Sequence, residues 1–495
     1  MGIETETRSS PIYEELCKNI GQEKVSDDET ILVTYGYDIS PTPFRKPSMV
    51  VFPKTKEDVS EVCKLANQYK IPVTAMSAGV TMSGLSIPED GGIVLDFRSM
   101  NKIWDINTDS GYAVIEPGVT FDQFTSALRK KGFRCHIPTS PSTTTPLSNY
   151  LMASSGSLVN RHLDSIVSLQ VVLADGTIVD TGMDAWKSST PFKRYSPLPD
   201  LTGIFCCSYG TLGVVTKGSV RIYPINEANR VHLAAFNDYG SSVKYVKDVI
   251  DNNLCEHSII WSWPTCVTYD MTVSRDGEVD IPPDLMNDPR KAPEALPYNI
   301  VTTFMSGYEE MMKVADSICA KVAEKYGGRA ISEEEMKEKL PGALEAWTTF
   351  YGEYHHPGMY HVKKYGLGKY VPWIVHSEPG KSAEIEKMAM SKMWEIGLKP
   401  ICYYAQPYDF GRAMFFRAYS YADPKDPEQA KRVGAAYKEM YDTVMENYGA
   451  VPNRCRAADH GENSYLLKMG GYGELLRSIK KMVDPNNILN PNVVF

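Results

Sequence analysis

No Cys-x-x-Cys pair occurs among the ten cysteines of this 495-residue chain. They are scattered from Cys17 to Cys455, and Cys206 and Cys207 are adjacent, which suits neither a disulfide framework nor a zinc site. Free thiols in a reducing compartment are the simplest account, so a cytoplasmic location is expected. There is also no basic block. Lys and Arg number 52 against 61 Asp and Glu, a net charge of −9, which argues against nucleic acid or an anionic membrane as the main partner. No apolar run reaches the length of a membrane span. The first residues, Met1 to Thr7, are too polar and acidic for a signal peptide. Gly2 invites a check for myristoylation, but the acidic residues beside it oppose membrane binding. The G-x-G-x-x-G fingerprint is missing, and so is a P-loop, which excludes the two commonest nucleotide-binding loops.

What is present is ordinary for a soluble globular protein, with 43% hydrophobic and 23% charged residues. The length predicts two or three domains with real cores. Tyrosines number 30 against 15 phenylalanines, a surplus that fits polar–apolar pockets, although core packing accounts for most of it.

The stretch Ser77-Ala78-Gly79-Val80-Thr81-Met82-Ser83-Gly84 lies between two short apolar segments, 71–74 and 91–96, that read as strands. Small residues and hydroxyls let backbone N–H groups approach and converge on an anion, so the turn reads as a diphosphate cradle. Before it, Val50-Val51-Phe52 reads as a strand, and Thr55 caps a helix with an acidic first turn and an apolar stripe. Thr120 caps another. Residues 138–157 alternate hydroxyls and small residues without a charge, as suits a coenzyme wrapped by backbone and hydroxyl hydrogen bonds. Residues 169–179 read as strand, turn and strand, and 208–216 as a second small-residue turn leading to a strand near 219–223. Farther on, helices are expected over 307–326, 333–347 and 427–448, and a strand pair over 399–421. His355, His356 and His361 crowd one segment, but their spacing matches no standard metal site, and no metal is expected.

Five landmarks in fixed order carry a resemblance. They are Val50-Val51-Phe52-Pro53, the 77–84 turn, Gly118-Val119, Val172-Leu173-Ala174-Asp175-Gly176, and Tyr209-Gly210-Thr211-Leu212-Gly213-Val214-Val215-Thr216. Together with the tail Val483-Asp484-Pro485-Asn486-Asn487-Ile488-Leu489-Asn490-Pro491, they resemble the vanillyl-alcohol oxidase / 4-cresol dehydrogenase superfamily, which also holds D-lactate and glycolate dehydrogenases. The resemblance implies an α+β fold: a two-subdomain PCMH-type FAD-binding domain and an α+β cap with an antiparallel sheet. The domains implied are 1–225 for FAD, 226–425 for the cap and 426–495 for a segment returning to the FAD domain. It implies FAD on Ser77, Ala78, Gly79, Val80, Thr81, Met82, Ser83 and Gly84, with Pro138, Ser142, Thr143, Ser148, Gly156, Ser157, Gly213 and Val215 along it.

The cap segments 396–401, 421–424 and 448–454 look like the phenol-oxidising type, in which a Tyr-Arg pair near the chain end holds a phenolate. Arg454 falls on that arginine, while Asn453 replaces the tyrosine, and Leu85 stands near a first-loop tyrosine of the family. The His-x-x-Gly-Asp-Gly-x-x-His-like stretch of the metal-dependent hydroxy acid enzymes has no match. Relatives with a flavin-linking histidine carry it on a strand that reads Arg412-Ala413-Met414-Phe415 here, so non-covalent FAD is expected. The candidate catalytic residues are Arg454, Arg412 and His460, with Tyr404 and Tyr408 lining the pocket; Arg456 adds charge nearby. A guanidinium clamps a carboxylate as well as it steadies a phenolate, and His460 is placed as a base for a hydroxyl proton. The expected activity is a FAD-dependent dehydrogenase or oxidase acting on a hydroxylated or para-alkylphenol-type substrate. It would pass electrons to an external acceptor: a cytochrome, an electron-transfer flavoprotein or oxygen. The alternatives are a D-2-hydroxy acid dehydrogenase and a flavin-binding subunit without turnover of its own. A homo-oligomer is expected, as is common among relatives.

Overall fold

The computed structural model describes residues 10–38, 42–81, 84–88, 90–138, 142–152, 162–195, 197–274, 287–352, 369–423, 425–454, 466 and 468–495. Among these, helices mix with four sheets of four, five, two and eight strands, an α+β fold.

The four-stranded sheet holds the cradle. Met49–Val51 and Val73–Met76 flank Ile93–Asp96, all parallel, and Val25–Ser26 adds an antiparallel edge. These strands are nearly continuous apolar runs because helices cover them. Helix Lys56–Tyr69 starts at Thr55, whose hydroxyl accepts from the Asp58 N–H while the Asp58 carboxylate accepts from the Thr55 N–H. Its Val59, Val62, Cys63 and Ala66 are buried in one core with Val51, Ile93 and the tail residues Ile488 and Leu489. The apolar stripe and the cap expected from sequence are therefore both present.

The five-stranded sheet is antiparallel, in the order Ile103–Asn107, Tyr112–Ile115, Val214–Arg221, Ile166–Val172, Ile178–Asp180. The last long strand begins at Val214, earlier than the segment near 219 read from sequence. Residues 146–151, read only as a hydroxyl-rich stretch, form a short helix, Pro146–Leu151, whose Leu147 and Tyr150 are buried. Proline at its first position explains the start.

The eight-stranded sheet is the cap's. Its central strands Cys402–Tyr408 and Ala413–Ala422 are the expected hairpin, paired from Cys402↔Tyr419 to Tyr408↔Ala413. Alternation divides it into two faces. Ala405, Phe416 and Ala418 pack on helices Tyr239–Asp251, Pro379–Glu395 and Pro427–Tyr448. Tyr404, Tyr408, Phe415, Tyr419 and Tyr421 share a core with Ile115, Phe121 and Leu147 of the other half. Residues 333–347, read as one helix, are two, Glu333–Lys339 and Pro341–Gly352; the proline begins the second.

The tail closes the molecule. Val73 N–H donates to Ile488 O at 2.7 Å and Asn490 N–H donates to Val73 O at 2.8 Å, so the tail pairs with the strand that precedes the cradle. Lys480 Nζ, buried beside Asp484, donates to Thr211 O at 2.8 Å and Leu489 O at 3.0 Å. No helix among the described residues is long and apolar enough to cross a membrane.

Candidate active site

The segments drawn together by these contacts enclose a cavity of about 1360 Å³, counted out to its open mouth. Ser77, Ala78, Gly79, Val80 and Thr81 line it, with Pro138, Ser148, Gly213 and Val215. Gly79 has φ +68°, a conformation that glycine adopts without strain. The hydroxyls of Ser77, Thr145 and Ser148 bond one another at 2.7 to 3.1 Å on the cavity wall. Gly210, at φ +77°, has open space where a side chain would stand. Gly213 is needed for a different reason: a Cβ there would lie 2.4 Å from Val171 Cγ1.

Other sequence candidates fall elsewhere. Ser142 and Thr143 do not line the cavity; the Ser142 carbonyl accepts from Asp122 N–H at the start of helix Phe121–Arg129, which turns the segment away. Gly84, at φ +65°, opens the next turn outside the lining. Met82, Ser83, Gly156, Ser157, Arg456 and His460 lie outside the described residues, as do His355, His356 and His361. Among the described residues no group of His, Cys, Asp and Glu is arranged to hold a metal, and the described cysteines, Cys206 and Cys207 included, are free.

Arg454 reaches the cavity wall. Burial pulls its guanidinium below the ordinary range, Tyr209 opposes this, and the like charge of Arg417 adds to it. Asn453, standing where the resemblance has a tyrosine, is occupied elsewhere: its Oδ1 lies 2.7 Å from His376 Nε2. Burial lowers the affinity of His376 for a proton, partly offset by that hydrogen bond. Leu85, the other replaced position, is a buried wall residue.

Arg412 requires a correction. It was grouped with Arg454 by sequence, but its side chain is 73% exposed at the tip of the cap hairpin and pairs with Asp409 at 3.4 Å. A hairpin turn points its side chains to solvent. The second guanidinium on the cavity is Arg417, five residues on, mid-strand and opposite Tyr404. It lies 5.1 Å from the Tyr404 ring and 5.2 Å from the Phe415 ring. Tyr404 and Tyr408, expected to line the pocket, are not among the residues that line it; they are buried on the same sheet face as Phe415, which stacks on Tyr408 at 5.8 Å. Burial raises the Tyr408 phenol well above its ordinary value, so it stays neutral. Sequence reading missed Arg417, Thr145, Asn149 and Tyr209. The signal for Arg417 was a single charge within Ala413–Ala422, in phase with Phe415, Tyr419 and Tyr421.

The donor set suits FAD. The cradle is neutral, built of hydroxyls, glycines and backbone amides. Asn149, also on the wall, holds a buried Oδ1 that no described residue satisfies, an acceptor placed for a ring N–H. Aromatic and aliphatic residues complete a mostly apolar lining for a flat ring system.

Comparison with known proteins agrees. Residues 47–182 match the model of the FAD binding domain, and 401–494 match that of the FAD linked oxidases, C-terminal domain. The chain is 23% identical to the glycolate oxidase subunit GlcD of Bacillus subtilis, over 98% of this chain and 96% of the relative. It is 26% identical to the 4-cresol dehydrogenase [hydroxylating] flavoprotein subunit of Pseudomonas putida, over 95% and 92%. Its fold is similar to the crystal structure of p-cresol methylhydroxylase with substrate bound, with a TM-score of 0.82 and 21% identity, covering 98% of this chain and 96% of that one. The chain is an FAD-dependent oxidoreductase with a PCMH-type fold, built on an FAD binding domain and the C-terminal domain of the FAD linked oxidases.

Proposed function

We propose that the enzyme oxidises a hydroxylated or para-alkylphenol-type aromatic substrate bound as an anion between the flavin and the cap sheet. The observation that carries this reading is Arg454, a buried guanidinium on a mostly apolar cavity whose wall includes the aromatic rings of Phe97, Phe205 and Tyr209. When bound, FAD supplies the acceptor for the hydride that leaves the substrate carbon.

In this reading residues 1–225 and the returning 426–495 hold the cofactor, and 226–425 cover it. Ser77, Thr145 and Ser148 bind the diphosphate through hydroxyls, and Asn149 orients a ring N–H. Arg454 holds the substrate oxygen as an anion; a charge-assisted hydrogen bond in a site of low polarity favours the deprotonated form. The mostly apolar wall, with Phe97, Phe205 and Tyr209 in it, orients the ring and excludes water. His460 is placed by sequence as the base for a hydroxyl proton. The electrons pass on to a separate acceptor: a cytochrome, an electron-transfer flavoprotein or oxygen. A homo-oligomer of this chain is the working assembly.

The flavin is held without a covalent link, since no histidine stands at Arg412 to Phe415. Acid precipitation is expected to leave yellow flavin in the supernatant; a coloured pellet would overturn this.

Similarity to a glycolate oxidase subunit favours a second reading, a D-2-hydroxy acid as substrate. Anaerobic mixing separates the two. 4-Hydroxybenzyl alcohol or a 4-alkylphenol is expected to bleach the flavin absorbance near about 450 nm, with D-lactate and glycolate inert. The reverse pattern establishes the second reading.

A further inference from the structure

We infer that Arg417 is the second arm of an anion clamp, and that it makes the cavity select aromatic substrates that carry a carboxylate. The inference rests on the aromatic reading above and names the anionic group of that substrate.

Arg417 is 7% exposed, in the middle of a strand and on the cavity wall. No Asp or Glu pairs with it among the described residues, and none stands in the cavity lining. Its Nε has no hydrogen-bond partner among the described residues. Burial works against its charge, but Tyr404 and Tyr370 outweigh that and hold the guanidinium protonated. Aromatic faces steady a cation without satisfying its N–H groups, and the Tyr370 hydroxyl, which does hydrogen-bond the guanidinium, brings no counter-charge. The neighbouring Gln406 lies in phase with Tyr404 and Tyr408 on the same strand and is fully buried, with Tyr408 as its polar neighbour. Buried polar groups are ordinarily paired, and a buried charge without a counter-charge is costly, so a guanidinium on the cavity wall without a carboxylate partner points to an anionic ligand that completes it.

The shape of the group decides which ligand. A guanidinium presents a planar fork of N–H donors that matches the two oxygens of a carboxylate. A phenolate offers one oxygen, which Arg454 alone can hold. Two like charges close enough to perturb one another also demand more negative charge than the single charge of one phenolate. The rings of Tyr404 and Phe415 brace the guanidinium, and the mostly apolar wall of the cavity accepts the arene that bears the carboxylate.

The test is ligand binding to the oxidised holoenzyme, read by perturbation of the flavin spectrum. Benzoate, 4-hydroxybenzoate and 4-methylphenol are titrated into the wild-type protein, Arg417→Met and Arg417→Lys. Benzoate is expected to bind the wild type and to weaken about tenfold or more in Arg417→Met. 4-Methylphenol is expected to change by less than about threefold. Arg417→Lys keeps the charge but loses the fork, so it is expected to recover benzoate affinity only in part, and it serves alone if the methionine variant does not fold. The clamp is overturned if benzoate fails to bind the wild type, if both variants bind it unchanged, or if benzoate and 4-methylphenol weaken equally. It is also overturned if Arg417→Met loses FAD while ligand affinity stands, since Arg417 would then serve the cofactor. If benzoate binding depends on Arg417 but no hydroxybenzylic compound reduces the flavin, the aromatic oxidation is wrong and the clamp survives.

Discussion

Arg412 and Arg417 are five positions apart on one hairpin and have opposite fates. Arg412 sits at the tip with Asp409, and Arg417 turns inward against Tyr404 and Phe415. An exposed pair contributes little. Arg412→Ala is therefore expected to leave kcat/KM within about twofold of the wild type in steady-state assays; a tenfold loss would return Arg412 to the site. The contrast also shows what was legible. That residues 77–81 line a cavity could be read from sequence, because small residues and hydroxyls in a turn leave room for a ligand locally. The distinction between the two arginines could not, because it depends on where the strand ends and on which face the alternation assigns. Asn453 is a similar case: its departure from the family pattern was visible, but its partner His376, 77 positions away, was not.

At the scale of elements, capped helices were the most legible. Thr55 and Thr120 each form the reciprocal cap that their sequences announce, Thr120 with Gln123. Helix Pro379–Glu395 holds something less visible. Glu386 is buried against the cap sheet, and its carboxylate accepts from the Tyr298 hydroxyl at 2.6 Å. Burial pushes its pKa from 4.5 up to about 7, against the opposing pull of Tyr298. Below pH 4.5 the carboxyl is protonated in both folded and unfolded chains, and its contribution is fully present. Between 4.5 and 7 the folded chain keeps a proton that the unfolded chain has released, so stability falls as pH rises. The slope is about 1.4 kcal/mol per pH unit. Urea unfolding of the wild type and Glu386→Gln at pH 5 and pH 7.5 checks this. The wild type is expected to lose stability relative to the variant as pH rises; parallel curves would remove Glu386 from the account.

The whole molecule is closed by its tail. Asn490 joins three distant segments: its Oδ1 accepts from Thr74 Oγ1 at 3.2 Å, and its Nδ2 donates to Tyr209 O at 2.8 Å and to Leu85 O at 3.4 Å. Tyr209 and Leu85 both line the cavity, and Thr74 belongs to the strand that leads into the cradle. Asn490→Ala is expected to weaken FAD binding about tenfold, since two or three neutral hydrogen bonds are lost together. Quenching of flavin fluorescence on titration into apoprotein measures it, and an unchanged dissociation constant would mean that the backbone pairing of Val73 suffices. The return of the tail came from the resemblance rather than from any local pattern, because contacts across more than 400 residues leave no periodicity in the sequence.

The central claim is that guanidinium charge on this cavity steadies an anionic reductant beside bound FAD. Stopped-flow reduction under anaerobic conditions by 4-hydroxybenzyl alcohol, in wild-type and Arg454→Met proteins of equal FAD content, tests it most directly. The account expects the reduction rate to fall by about 10- to 100-fold in the variant, the worth of one charge-assisted hydrogen bond. Equal rates in the two proteins would contradict it.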